Sequence, residues 1–125
     1  MLITTDLKKI NLLKLIILKN KKNSIKEKSI SKAVISSIFG PSPSIMKVEN
    51  DEIGLYIVSY YSRDAGRYYS YKVKFEGKKA FWGADDGRWR YDNIYFSETK
   101  DAYYITEKYS DGSIRKDKFY KKDLK

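Results

Sequence analysis

Acidic residues between positions 85 and 101 are the side chains of this sequence that could support hydrolytic chemistry. Paired carboxylates can act as general acid and base on a glycoside or hold a divalent metal ion. The chain has no histidine and no cysteine, which excludes imidazole acid/base chemistry, thiolate nucleophiles and the usual zinc ligands. We therefore predict a non-enzymatic protein with no catalytic residue, cofactor or metal, in which these carboxylates are solvated charge near turns: Asp85, Asp86, Asp92, Glu98 and Asp101.

Residues 85–90, DDGRWR, closely follow the pair Phe81-Trp82. Aspartate and glycine are turn residues, so a hairpin is the structural interpretation, with Trp82 and Trp89 paired across its strands. The functional alternative is a rim of Trp, Arg and Tyr side chains, which are the types that dominate binding hot spots. The candidate binding residues are Tyr69, Tyr71, Trp82, Arg88, Trp89, Arg90 and Tyr91.

A period of two in the apolar pattern predicts strands in the second half of the chain. In RYYSYKVKF, residues 67–75, Tyr69 and Tyr71 share a face with Val73, whereas Lys72 and Lys74 point to the other face. Short connections imply a sequential antiparallel meander. The predicted strands are 53–62, 67–75, 79–84, 88–97, 103–110 and 113–121, and the face opposite the core should also carry Lys108, Lys116 and Lys118 among tyrosines.

The first forty residues predict helix. Residues 4–19 have apolar side chains nearly all round, and residues 20–24 form a polar joint. A capping box at Ser24 and Glu27 then predicts a second helix over about 25–39, ended by Gly40-Pro41. The predicted fold class is α+β, with one or two N-terminal helices packed on a five- to six-stranded antiparallel β-meander. We expect a basic, apolar arm over 1–23 and a single α+β domain over 24–125.

The net charge of +10 is concentrated near the N-terminus, where residues 1–48 hold ten lysines against Asp6 and Glu27. A basic arm of this kind is typical of binding to nucleic acid, lipid headgroups or an acidic protein. The simpler alternative is that the lysines only keep the chain soluble. The apolar run over 7–19 is shorter than the ~20 residues that span a bilayer, so it favours a peripheral membrane contact or core packing. A signal peptide would explain lysines before an apolar run, but Lys14 interrupts it. The compartment, envelope or cytoplasm, is left open.

Three segments resemble a family of small uncharacterised bacterial proteins: GPSPSIMKV at 40–48, FEGKKAFWGADDGRWR at 75–90, and YSDGS at 109–113 followed by Lys118-Phe119. In that family a helix ends in a Gly-x-Pro-Ser step, and hairpins carrying Gly-Arg-Trp-Arg and Tyr-Ser-Asp-Gly-Ser follow. The resemblance covers about residues 33–124 and implies no activity, although its members are often exported. The architecture is also loosely similar to small lipoprotein modules of outer-membrane assembly, which says little about function.

Two functions follow from these patterns. The first is a non-enzymatic protein-binding module, such as an envelope accessory protein, an inhibitor or an immunity-type partner, that uses a Tyr/Trp/Arg-rich sheet surface. The alternative is non-specific binding to nucleic acid or an anionic surface through the basic arm and the sheet lysines.

Overall fold

A computed structural model describes the backbone of residues 2–125 and the side chains of residues 8–19 and 21–125. One helix precedes a sheet, which confirms the α+β class. The element bounds are α1 Leu2–Phe39, a 3-10 turn Pro43–Ile45, β1 Lys47–Glu52, β2 Leu55–Ser62, β3 Arg67–Glu76, β4 Lys79–Ala84, β5 Trp89–Glu98, β6 Ala102–Lys108, β7 Ile114–Tyr120 and a second 3-10 turn Lys121–Asp123.

Helix α1 is continuous through residues 20–24, so the predicted polar joint is wrong. Lys, Asn and Ser are tolerated inside helices, and no Gly or Pro interrupts the segment. The predicted capping box is wrong for the same reason, because Ser24 lies within the helix and its Oγ instead donates to Asn50 Oδ1 at 3.4 Å. The end of α1 is confirmed: Gly40 takes a φ of 97° and donates its N–H to Ser36 O at 2.8 Å.

The sheet has seven antiparallel strands in sequence order, one more than predicted. The missed strand is β1, KVENDE, where only Val48 has the apolar character that marks a strand in a sequence. It pairs with β2, placing Val48 opposite Val58. The segment 53–62 was predicted as one strand, but its first two residues form the β1–β2 turn, where Gly54 has a φ of 78°. The rest of the meander follows the predicted order.

The core lies between the C-terminal half of α1 and one face of the sheet. Ile30, Val34 and Ile35 are almost completely buried against Val58, Val73 and other apolar side chains of the sheet. The helix covers only this face, as expected for an α+β layer. The opposite face of the sheet carries no second layer of the described chain.

Polar contacts link helix α1 to the sheet at two places along its length. Glu98 at the end of β5 accepts from Lys121 at 2.5 Å and pairs with Lys26 of α1 at 3.0 Å. These ammonium groups lower the pKa of the Glu98 carboxyl below its ordinary value, with the Lys121 hydrogen bond as the largest cause. Near the helix C-terminus, Ser37 Oγ donates to Asp117 Oδ2 at 2.5 Å. These contacts orient α1 so that one side of the sheet is covered and the other is open.

Candidate functional site

The structure divides the seven predicted binding residues between the two faces of the sheet. In the β4–β5 register, Trp82 lies opposite Arg90 and Gly83 lies opposite Trp89. Since neighbouring residues of a strand point to opposite faces, the two indoles are on opposite sides of the sheet. The expected cross-strand pair of Trp82 with Trp89 is therefore wrong, and the seven residues do not form one rim.

On the helix side, Trp82 belongs to an aromatic cluster at the C-terminus of α1. Its ring is edge-on to Phe39 at 5.2 Å and to Tyr71 at 6.0 Å between centroids. Phe39 stacks on Tyr71 at 4.4 Å, and burial raises the pKa of Tyr71 to about 12. Tyr69 continues the cluster, parallel to Tyr71 at 6.4 Å. These rings hold the last turn of the helix on the sheet, so Tyr69, Tyr71 and Trp82 have an evident structural role.

Arg90 and the carboxylate of Asp92 complete this cluster. Trp82 Nε1 donates to Asp92 Oδ2 at 3.1 Å, and the Arg90 guanidinium lies 5.2 Å from the Trp82 ring centroid. Arg90 also approaches Asp92 at 3.7 Å. Arg88 is exposed just before β5. Asp92, one of the candidate acids, thus positions an indole.

The other face presents Trp89 between two lysines. Lys72 Nζ lies 4.6 Å and Lys74 Nζ 4.4 Å from the Trp89 ring centroid, within cation–π range. Lys72 Nζ also donates to Gly87 O at 2.5 Å. Only glycine at position 83 leaves room for the Arg88 backbone and the Lys72 side chain, because a Cβ there would lie 2.4 Å from Arg88 O and 3.1 Å from Lys72 Cε. The turn residues thus fix Trp89 and Lys72 on the open side.

The pattern around Trp89 extends over the outward positions of β3–β7, which we name the lysine–aromatic face. Strand alternation places six lysines and a single acid, Glu76, at these positions. Each of the six lysines lies within 6 Å of an aromatic centroid on the same face. The lysines are Lys72, Lys74, Lys79, Lys108, Lys116 and Lys118, and the aromatic residues are Tyr68, Phe81, Trp89, Tyr91, Tyr95, Tyr104 and Tyr120.

The register aligns part of this face into a row. Lys79 is opposite Tyr95, Tyr95 is opposite Thr106, and Thr106 is opposite Lys116. With ~4.8 Å between strands, the row extends for roughly 14 Å. On the exposed edge strand, a hydrogen bond with Tyr120 is the main cause that raises the pKa of Lys118. On this face, the lysine ammonium groups therefore form a positively charged array that lies against aromatic side chains.

The candidate acids do not converge on a common site. Asp85 Oδ2 accepts from Ser70 Oγ at 3.1 Å, Asp92 holds Trp82, and Glu98 is engaged by Lys26 and Lys121. Asp86 and Asp101 are exposed. Among the residues that the structure describes, no group of three acidic side chains is arranged to hold a metal ion.

Part of the lysine–aromatic face could be predicted, and part was missed. Alternation within the predicted strands assigned five of the six lysines to this face, and the structure confirms that placement. Lys79, Phe81 and Tyr95 were missed as site residues. Alternation of side chains within β4 and β5 could have identified them. However, β4 has only six residues and the β4–β5 pairing contains a register shift, so the alternating pattern is harder to follow there.

The chain matches no protein-family model, no curated protein and no solved structure. The resemblance to a bacterial family with Gly-x-Pro-Ser, Gly-Arg-Trp-Arg and Tyr-Ser-Asp-Gly-Ser motifs therefore stays a prediction.

Proposed function

We propose that this chain is a small non-enzymatic binding module, and that its lysine–aromatic face binds an acidic surface of a protein partner. One observation carries the proposal: the outward positions of β3–β7 bear six lysines, one acid and seven aromatic rings, and no other layer of the described chain covers them. Aromatic rings flanked by cations supply contact area together with charge complementarity, which favours a specific, quickly formed complex.

The way the lysines are held supports recognition of an array of anions. Lys72 and Lys74 rest on Trp89, and Lys116 and Lys118 rest on Tyr104 at 4.8 and 5.8 Å. Packing against a ring restricts a flexible lysine before the partner arrives, which reduces the conformational entropy lost on binding. Carboxylates of an acidic protein would meet ammonium groups already in place.

Binding of single-stranded nucleic acid is a second candidate, favoured by one specific observation. Tyr91 is 71% exposed on the lysine–aromatic face, and its hydroxyphenyl ring is edge-on to Phe81. An exposed ring next to lysines can stack a base while the lysines meet phosphates. This candidate differs from the first because it requires the Tyr91 ring as a stacking surface.

Fluorescence anisotropy with two labelled probes, a poly-glutamate peptide and an oligothymidylate of equal charge, tests both candidates. At low salt we expect K116Q/K118Q to weaken poly-glutamate binding by roughly three- to tenfold, because each exposed ionic contact contributes up to ~1 kcal/mol. The matched control K21Q/K22Q removes the same charge from α1 and should bind as the unmodified chain does.

The remaining outcomes discriminate among the functions. If neither probe binds at low salt, where counterion release favours binding most, the proposal is wrong. Loss of affinity only in K21Q/K22Q would assign binding to the basic arm. If Y91A weakens oligothymidylate binding and leaves poly-glutamate binding unchanged, the nucleic-acid candidate replaces the first.

A further inference from the structure

A second surface of this protein lies on the N-terminal part of α1 and includes none of the sheet lysines. Seven large apolar side chains in this segment are each 46 to 64% exposed, although such residues are usually buried. They are Ile10, Leu12, Leu13, Leu15, Ile16, Ile17 and Leu18. The buried core contributed by α1 begins only at Ile30. Most of the segment therefore has its apolar groups in solvent, and only its C-terminal end, at Ile17 and Lys21, lies beside the β1–β2 turn at Ile53.

The charge of this segment is entirely positive. Residues 8–22 hold six lysines and no acidic residue, with Lys8 and Lys9 before the apolar run, Lys14 within it, and Lys19, Lys21 and Lys22 after it. The segment is about 22 Å long at 1.5 Å per residue. No helix of the described residues has an apolar stretch long enough to cross a membrane. The segment thus combines exposed apolar surface with cations at both of its ends.

This combination selects one occupant from the three that could cover an apolar helix. A second copy of the chain would bring six more positive charges against the first six, with no acid in either segment to offset the repulsion. A groove of a partner protein covers one side of a helix, whereas apolar side chains here are spread around most of it. Lipid acyl chains and headgroups can surround several sides, and lysine ammonium groups reach phosphates along their alkyl chains.

We propose that residues 8–22 are a peripheral membrane-binding helix that lies in the headgroup region of an anionic bilayer. The apolar side chains of residues 10–18 enter the boundary of the acyl chains, and the lysines on either side pair with lipid phosphates. Because α1 is continuous to Phe39, the bound segment would hold the α+β domain close to the bilayer surface. This inference uses residues separate from the lysine–aromatic face, so either proposal can fail alone.

Co-sedimentation of the full chain with vesicles tests the inference. We expect the chain to sediment with vesicles of equal phosphatidylcholine and phosphatidylglycerol, and to bind pure phosphatidylcholine vesicles more weakly. I16Q/I17Q should lower partitioning by about tenfold or more, because two half-exposed apolar side chains no longer enter the bilayer. K21Q/K22Q should lower partitioning into anionic vesicles by about thirtyfold, since each of the two lysines near an anionic surface contributes ~1 kcal/mol, or about fivefold.

K116Q/K118Q is the matched control, because it removes the same charge from the sheet and should partition as the unmodified chain does. Thermal melts of all variants, followed by circular dichroism, should show that the fold is kept, since residues 16, 17, 21 and 22 lie outside the core. The inference is overturned if the unmodified chain stays in the supernatant, or if I16Q/I17Q sediments equally well. It is also overturned if only K116Q/K118Q loses binding, or if the chain dimerises through this segment without lipid.

Discussion

Removal of each tryptophan in turn provides a sharp test of this structure, because the two indoles lie on opposite faces of one hairpin. Trp82→Ala removes a ring that packs against Phe39 and Tyr71 and donates to Asp92. Trp89→Ala removes a ring on the open face that contacts chiefly Lys72 and Lys74. The same chemical change should therefore have unequal effects on stability.

The expected loss for Trp82→Ala follows from these contacts. A half-buried indole hides roughly 100 Å² of apolar surface, and at ~25 cal/mol per Å² its loss costs about 2.5 kcal/mol. The aromatic pairs and the hydrogen bond add about 1 kcal/mol more, for a total of about 3 to 4 kcal/mol. Trp89 is also half-buried but lies outside the core cluster, so its two cation–π contacts and weaker packing give about 1 to 2 kcal/mol for Trp89→Ala.

Urea and thermal unfolding followed by far-ultraviolet circular dichroism measure both losses without relying on indole fluorescence. For a domain of this size, 1 kcal/mol corresponds to a shift in Tm of about 3 to 5 °C. We expect Tm to fall by about 9 to 20 °C for Trp82→Ala and by about 3 to 10 °C for Trp89→Ala. Trp82→Phe, which keeps a ring but loses the donor to Asp92 and part of the apolar surface of the indole, should cost about 1 to 2 kcal/mol.

Binding measurements complete the comparison. Trp89→Ala should weaken poly-glutamate binding, because Lys72 and Lys74 lose the ring that restricts them. Equal destabilisation by the two alanine variants, or a larger loss for Trp89→Ala, would refute the assignment of the indoles to opposite faces.

Three further predictions concern other residues. Gly83→Ala should lower the free energy of unfolding by about 1 to 3 kcal/mol in urea titrations, because the new Cβ meets the Arg88 carbonyl oxygen at 2.4 Å; an unchanged midpoint would contradict the tight packing there. Glu98→Gln should cost about 1 kcal/mol or less at neutral pH. The ion pairs of Glu98 lower the pKa of its carboxyl in the folded state, so their contribution to the free energy of unfolding is complete above the ordinary pKa of 4.5 and is lost as the pH falls below it. The variant lacks this contribution, so its free energy of unfolding should depend less on pH between pH 6 and 3. Ser24→Ala should change stability by less than about 0.5 kcal/mol, because Ser24 lies inside α1; a loss of about 1 kcal/mol or more, typical of a removed cap, would indicate that a helix begins there.

Most of the fold and part of the site could be predicted from sequence. Period-two alternation located the strands from β2 to β7, and it assigned Lys72, Lys74, Lys108, Lys116 and Lys118 to the face away from the core. The helix end at Gly40 was also predictable, because a glycine in the left-handed region followed by proline stops a helix. Strand β1 was missed because its polar residues lie at an edge, where burial imposes little pattern.

The sequence by itself determined the alternation of side chains within each strand, because that depends only on the extended backbone of the strand itself. Tertiary structure decided which face each strand presents relative to its neighbour. A shift of one residue in the β4–β5 pairing would bring Trp82 opposite Trp89, whereas the observed register puts Gly83 opposite Trp89 and separates the indoles. That register depends on contacts between residues distant in the chain, which no local pattern contains.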